Sequence, residues 1–441
     1  MAIRFAGVAA ALLILSPLFI AGVADSAPAL SPHERQLNID SFEFVWRTVR
    51  DRHWDPKLGG LDWQKVHDQL RPAIEKASTM DQARAVMEDM LSRLHETHFA
   101  ILPSDVYSSM DADRARSWGD GTLGIDLRIL NGHAIVTSID PDSPAEKSGV
   151  RTGWEIVRVR GKDFAPLIAR LEKSYRQSSL RALVLRETLL GKLGGFPEDD
   201  VSIEFLDGAN QPIKKTLTFA DPKGTLTRFG FFPPTYIWLD YRRIQNDIGY
   251  MHFNLFMDPG HLMPKFGQAV EDCMNCKGLI IDLRGNPGGL GAMAMGMAGW
   301  FFDQPNQRLG TLYLRDSKLQ FVINPRPRTY EGPLVILVDG TSASTSEIFA
   351  EGLKDLKRAR IFGTKTAAAA LPSMIEKLPD GDAFQFAIAN YISEGGKPLE
   401  GIGITPDVEA APDRAALLAG KDPALDAAVQ WIQSEKPRSG N

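Results

Sequence analysis

The sequence predicts a multi-domain α/β protein, with a helical start, a small β-rich middle and a C-terminal half of alternating strands and helices. Three observations predict it. The chain has 441 residues, too many for one ordinary core. Near its N-terminus apolar residues recur at three-to-four spacing, the helical period. In its C-terminal half, nearly continuous apolar runs such as Gly278–Leu283 and Leu334–Val338 alternate with helical segments. Such runs fit strands buried on both faces of a parallel sheet.

The first 29 residues read as a secretory signal. Arg4 precedes an apolar run from Phe5 to Val23, and small residues (Ala24, Ser26, Ala27, Ala29) follow. The run also approaches spanning length, so an uncleaved anchor is the alternative and the one route to a membrane. No cysteine follows it, which argues against a lipoprotein. Either way the globular part is expected to be exported, periplasmic or secreted. A net charge of −5 with no basic patch argues against nucleic acid as a partner. The two cysteines, Cys273 and Cys276, leave three readings open: a disulfide, a redox pair, or two structural residues at a helix end. Zinc would need two further ligands, and none is suitably spaced.

Residues 30–110 form the helical domain. Phe42, Phe44, Val45, Val49 and Trp54 make one stripe, Val66, Leu70 and Ile74 a second, and Ala83, Val86, Met87, Met90, Leu91 and Leu94 a third. The third helix is expected to run to its end at Leu94–Phe99, with His95 and His98 on one face. Residues 115–222 change character. Strand-like segments at Gly121–Leu127 and Ala134–Ile139, a Ser-Pro-Ala start to a short helix after Pro141, and a strand at Gly153–Val159 follow in turn. This order resembles a PDZ domain, with 164–198 as a helical insertion and Val201–Phe205 and Lys215–Phe219 closing the sheet. A PDZ domain captures a peptide end by strand addition. The resemblance implies Leu123, Gly124 and Ile125 as the carboxylate-binding loop; the alternative is a module that spaces or gates its neighbour. Residues 223–415 form the α/β domain, and 416–441 a C-terminal helix and tail.

Two strand-to-helix turns carry candidate chemistry. In Ser342-Ala-Ser344-Thr-Ser346 a serine sits where a strand ends and a helix begins. Free N–H groups and the positive dipole end lie there, so an anion forming at Ser344 would be stabilised by the Thr345 N–H. The turn Arg284-Gly-Asn-Pro-Gly-Gly289 could bring a second N–H close through Gly288 or Gly289, which have no Cβ to obstruct the approach. Spacing alone also allows plain N-caps, Ser346 before Glu347 among them.

Together, Gly278–Gly289 and Val338–Ile348 resemble the serine protease family of tail-specific (C-terminal processing) and tricorn-core enzymes, peptidase family S41. Gly401–Val408 is similar to that family's closing Gly-x-Thr-Pro-Asp motif. Leu61-Asp-Trp63 and the Leu94–His98 segment match its helical start. The likeness covers roughly residues 35–410. It implies a ClpP/crotonase-like catalytic domain, peptide or protein substrates, and Ser344 as nucleophile, with no metal and no organic cofactor.

The chain departs from the tail-specific branch at one place. That branch pairs its serine with a lysine and a glutamine one turn beyond; here those positions are Ala369 and Ser373. Lys365 precedes the expected position by four residues and reads as a solvated loop lysine. The resemblance to the tricorn-like branch implies a Ser-His-Glu site instead, with His98 after Thr97 as base and Glu400 orienting it. Imidazole suits such a base near neutral pH. His95 is the rival base, and Asp380, Asp382 and Glu394 are the fallback carboxylates. Asp282 and Arg284 read as a structural pair. The competing functions are a family member that lost its chemistry and binds peptides or ligands, and thiol redox work at Cys273 and Cys276.

Overall fold

The computed structural model describes residues 30–104, 120–229 and 234–435. The expected signal (1–29) and the end of the tail lie outside them. Among the described residues no helix is long and apolar enough to cross a membrane.

Three helices open the chain. Helix α1 (Pro32–Arg52) starts at a capping box, in which Ser31 and Glu34 satisfy each other's backbone N–H. Asp62 caps α2 (Trp63–Lys76) and Thr79 caps α3 (Met80–Ser92). Their apolar stripes meet in a core of Phe42, Val45, Trp63, Leu70, Met87 and Met90 that also takes in Phe384 and Phe386 from far down the chain. After α3 the chain forms strand β1 (Ala100–Leu102). The expected continuation of the third helix through Leu94–Phe99 is corrected: α3 stops at Ser92. His95 (φ 54°) and His98 (φ 64°) take left-handed backbone values that no helix accommodates.

A second unit follows. Strands β2 (Ile125–Leu130), β3 (His133–Ile139), β4 (Glu155–Val159), β5 (Asp200–Leu206) and β6 (Pro212–Thr218) pair in that order, with β2 at one edge. A short helix α4 (Pro144–Lys147) lies between β3 and β4. Between β4 and β5 run α5 (Ala165–Ser174) and α6 (Arg181–Lys192), where the sequence placed a helical insertion. A ribbon of β7 (Thr225–Thr227) and β8 (Thr235–Ile237) leads onward.

The third unit is built on a six-stranded sheet. Its strands are β9 (Leu239–Ile244), β10 (Ile248–Phe253), β11 (Gly278–Asp282), then Leu334–Val338, Arg360–Gly363 and Val408–Glu409 further along. Helix α7 (Pro259–Asp272) joins β10 to β11, and α8 (Gly291–Ala298) follows the Gly-rich turn. The hairpin β12 (Arg308–Leu314) and β13 (Lys318–Val322) precedes β14 (Leu334–Val338) and α9 (Thr345–Asp355). Then come β15 (Arg360–Gly363), β16 (Ser373–Lys377), β17 (Ala383–Ala387), β18 (Ala389–Ser393) and β19 (Val408–Glu409). Helices α10 (Arg414–Leu418) and α11 (Pro423–Ser434) end it.

From β10 to β19 the sheet is parallel, and only β9 runs against it. One face packs Met251, Phe253, Ile281 and Ile336 against α7, α8 and α9. The other packs Ile280, Val335, Leu337 and Phe362 against Val429 and Ile432 of α11. Both faces are therefore covered, which is why β11 and β14 read as unbroken apolar runs. Cys273 and Cys276 form a disulfide at the C-terminal end of α7.

The placement of the site follows from one pairing. Strand β1 runs antiparallel to β17, and Arg84 of α3 forms an ion pair with buried Asp382. The loop of residues 93–99 is thereby held against the third unit.

Candidate active site

Ser344 stands at the N-cap of α9 with φ 53° and ψ −116°, a strained backbone for a residue with a side chain. The turn before it is stitched to the Gly-rich turn. Ser342 Oγ donates to the Leu283 carbonyl at 2.8 Å, and Ser346 Oγ to the Asn286 carbonyl at 2.9 Å. The Gly285 N–H donates to Thr341 Oγ1 at 2.9 Å, and Thr345 Oγ1 to the Gly289 carbonyl at 2.7 Å. The turns approach so closely that a Cβ on Gly288 (φ 106°) would lie 2.8 Å from Ser344 Cβ and 2.9 Å from the Thr345 nitrogen. Only glycine fits there.

Of the N–H groups at this junction, that of Gly288 donates to Asn286 Oδ1 at 2.9 Å. Those of Thr345 and Gly289 have no acceptor among the described residues. Gly288 thus supplies the close approach, while Gly289 and Thr345 hold the free donors.

His98 arrives from the first unit. It is 4% exposed, and Ser344 is 3% exposed. Its Nδ1 lies 2.5 Å from Thr97 Oγ1, and that hydroxyl donates to Glu400 Oε2 at 3.0 Å. The Thr97 N–H donates to Glu400 Oε1 at 2.8 Å. Because the hydroxyl proton goes to the carboxylate, Thr97 Oγ1 accepts from an Nδ1–H, and the lone pair sits on Nε2. That Nε2 is buried and makes no hydrogen bond among the described residues. Burial pushes the His98 pKa down to about 3, so the ring is neutral at working pH. Burial also pushes the Glu400 carboxyl up to about 7, against the lowering effect of its bonds from Thr97 and Ala370.

One peptide unit connects the two halves of the site. The Ala369 carbonyl accepts the Ser344 N–H at 2.7 Å. The N–H on the other side of that peptide, from Ala370, donates to Glu400 Oε2 at 3.0 Å.

The remaining candidates lie elsewhere. Ala369 is buried against Leu183, Ala343 and Ala367, which fill the space around its side chain. Lys365 is exposed. His95 is exposed and stands outside this chain of bonds. Asp382 is engaged by Arg84, the Asp380 N–H by Ser41 and Glu394 by Arg308. Asp282 and Arg284 do pair, with Tyr250 and Asp422 as further partners.

Leu123, Gly124 and Ile125 belong to the second unit and share no hydrogen bond with Ser344, His98 or Glu400. The Gly124 N–H donates to Thr122 Oγ1 at 3.0 Å, and its φ of 70° beside Ser143 leaves no room for a Cβ.

Sequence reading did not assign Glu347 a role. It is 0% exposed and accepts four hydrogen bonds, from the N–H groups of Ser344, Ala368 and Ala369 and from Thr366 Oγ1. The Ser-x-x-Glu spacing of a capping box, Ser344 to Glu347, was the available signal.

Residues 247–410 match peptidase family S41, and residues 40–92 match the Tricorn protease C1 domain. The chain is a serine peptidase, with its S41 match over residues 247–410. Among its relatives, the carboxy-terminal-processing protease of Bartonella bacilliformis is 28% identical, over 70% of this chain and 67% of that one. The chloroplastic carboxyl-terminal-processing peptidase 3 of Arabidopsis thaliana is 26% identical over 92% of this chain and 77% of its own. Two solved structures share the fold. The photosystem II D1 C-terminal processing protease covers 92% of this chain and 98% of its own, with a TM-score of 0.54 and 21% identity. Mature CPAF covers 91% and 97%, with a TM-score of 0.58 and 14% identity.

Proposed function

We propose that this serine peptidase is an exported endopeptidase that cleaves peptides or the C-terminal regions of proteins, through an acyl-enzyme formed on Ser344. The names of its relatives support the substrate class. The peptide unit that ties the Ser344 backbone to Glu400, and through Thr97 to His98, carries the reading.

His98 Nε2 takes the proton from Ser344 Oγ as that oxygen attacks the scissile carbonyl carbon. The carbonyl oxygen becomes an oxyanion, which the free N–H groups of Thr345 and Gly289 stabilise. The carbonyl reforms, the C–N bond breaks, and His98 gives its proton to the departing amine. Water then repeats the sequence on the acyl ester, with His98 again as base, and releases the carboxylate product. Thr97 and Glu400 are positioning residues: they fix the Nδ1–H tautomer and stabilise the imidazolium as it forms. The second unit serves as a PDZ-like module that presents a substrate end along the free edge of β2, with Leu123, Gly124 and Ile125 at its carboxylate loop.

The unbonded His98 Nε2 favours a second reading in one respect, a site that binds peptides without turning them over. Labelling with a fluorophosphonate separates the two. Wild type should label, and Ser344→Ala and His98→Ala, folded as judged by circular dichroism, should not. Absence of labelling in wild type supports the binding protein; labelling retained in Ser344→Ala rules out this nucleophile.

A further inference from the structure

Two non-glycine residues beside the nucleophile hold left-handed backbone: Ser344 at φ 53° and Ala368 at φ 56°. Such residues persist only where surrounding bonds over-determine them. Both donate their N–H to the same carboxylate. Glu347 Oε2 accepts from Ser344 at 3.0 Å and from Ala369 at 2.9 Å. Its Oε1 accepts from Ala368 at 3.0 Å and from Thr366 Oγ1 at 2.5 Å. The next amide along, Ala370, goes to Glu400. Two buried carboxylates therefore grip consecutive amides of one segment, Glu347 on the nucleophile side and Glu400 on the base side.

The segment that carries the base in lysine-dependent relatives carries alanines here. Its remaining task is spacing, because the base comes from a different unit on a loop that is itself left-handed at His98. We propose that Glu347 is a positioning residue of the reaction: its carboxylate clamps the left-handed backbone at Ser344 and Ala368, and so sets the nucleophile against the base presented through Thr97 and Glu400. The proposal rests on the reading of Ser344 as nucleophile.

The test compares Glu347→Gln, Glu347→Gln/Ala368→Gly and Ser344→Ala. The glutamine NH2 cannot accept, so one oxygen's pair of donors loses its partner. A displaced nucleophile lowers kcat about 10²-fold, with KM held within about twofold, and slows fluorophosphonate labelling in proportion. Glycine takes left-handed backbone without strain, so Ala368→Gly in the Glu347→Gln background recovers about tenfold of the lost kcat. A residue that merely supports the fold would show lowered stability without this rescue.

A folded Glu347→Gln with kcat within about threefold of wild type overturns the proposal, as does a loss that Ala368→Gly leaves unchanged. Should Glu347→Gln fail to fold, Thr366→Val removes one of the four donors and is read the same way; an unchanged kcat there also overturns it. Turnover retained in Ser344→Ala would instead sink the assignment of the nucleophile. Loss of turnover in Ser344→Ala beside a fully active Glu347→Gln would sink the clamp alone.

Discussion

Residue chemistry at this site is set by opposed burial effects. Burial holds His98 neutral down to about 3 and holds the Glu400 carboxyl up to about 7. His98 is therefore neutral throughout the working range, and Glu400 is the group whose charge changes near neutrality. A protonated Glu400 no longer accepts fully from Thr97, and the imidazolium loses its counter-charge. We expect kcat/KM to fall as pH drops through about 7, with Glu400 as the titrating group. Glu400→Gln should remove that acid limb and lower kcat by about 10²-fold. Thr97→Val should lower kcat while KM stays close to wild type, since it severs the link to Nδ1. A pH–rate profile that is unchanged in Glu400→Gln would contradict the relay. Of these residues, Ser344 and His98 were singled out as candidates in the sequence only because motifs stood beside them. Burial and the Thr97 link were not, because they arise from contacts spanning 303 positions between Thr97 and Glu400.

At the scale of elements, legibility followed periodicity. Strands β10, β11 and β14 stand where their apolar runs place them, since burial on both faces leaves a signal no solvated segment shares. Helix α9 begins at Thr345, directly after Ser344, and Ser344 and Glu347 cap its first turn. The hairpin β12–β13 and strands β16 to β18 carried no comparable signal: β17 also pairs with β1, and β12 with β18, which are distant in sequence. Helix α6 has a consequence for the base. Its Leu183 is buried over Ala343, Ala367 and Ala369, so the position a lysine would need is already filled. Placing a lysine there means burying an ammonium among apolar groups, with displaced packing. His98→Ala/Ala369→Lys should accordingly stay unlabelled by a fluorophosphonate; labelling in that variant would show the lysine solution to be accessible. Leu183→Ala should cost about 2–5 kcal/mol in urea unfolding, as expected for a buried leucine whose surroundings collapse only in part.

Across the whole molecule, the second unit is fastened to the turn before Ser344 by charge. Arg128 on β2 bonds Asp339 at 2.7 Å and Asp126 at 2.8 Å, and Arg186 on α6 bonds Asp126 at 2.8 Å. Asp339 also accepts from the N–H and hydroxyl of Thr341, which supports the Gly285 N–H of the Gly-rich turn. On the far side, Arg414 of α10 donates to the Gly153 and Asp207 carbonyls and Leu418 packs on Gly153, so the unit is held from two directions. Burial pushes Asp126 and Asp339 up, but the arginines outweigh it and hold both below the usual carboxylate range. Carboxyls lowered in this way contribute stability that is present above their unfolded pKa and lost as pH falls below it. Removing the central cation is more damaging than acid. Arg128→Leu leaves Asp339 buried without its counter-charge and should cost about 3–5 kcal/mol. Adding Asp339→Asn removes the stranded charge, and most of that loss should return. Fluorophosphonate labelling should slow in Arg128→Leu, because the carboxylate that loses its partner also braces the turn beneath Ser344. Urea unfolding and labelling rates on the two variants test both statements. Equal stability of Arg128→Leu and wild type would mean that the ion network contributes nothing net, and that α10 and the packing of Leu183 hold the second unit in place.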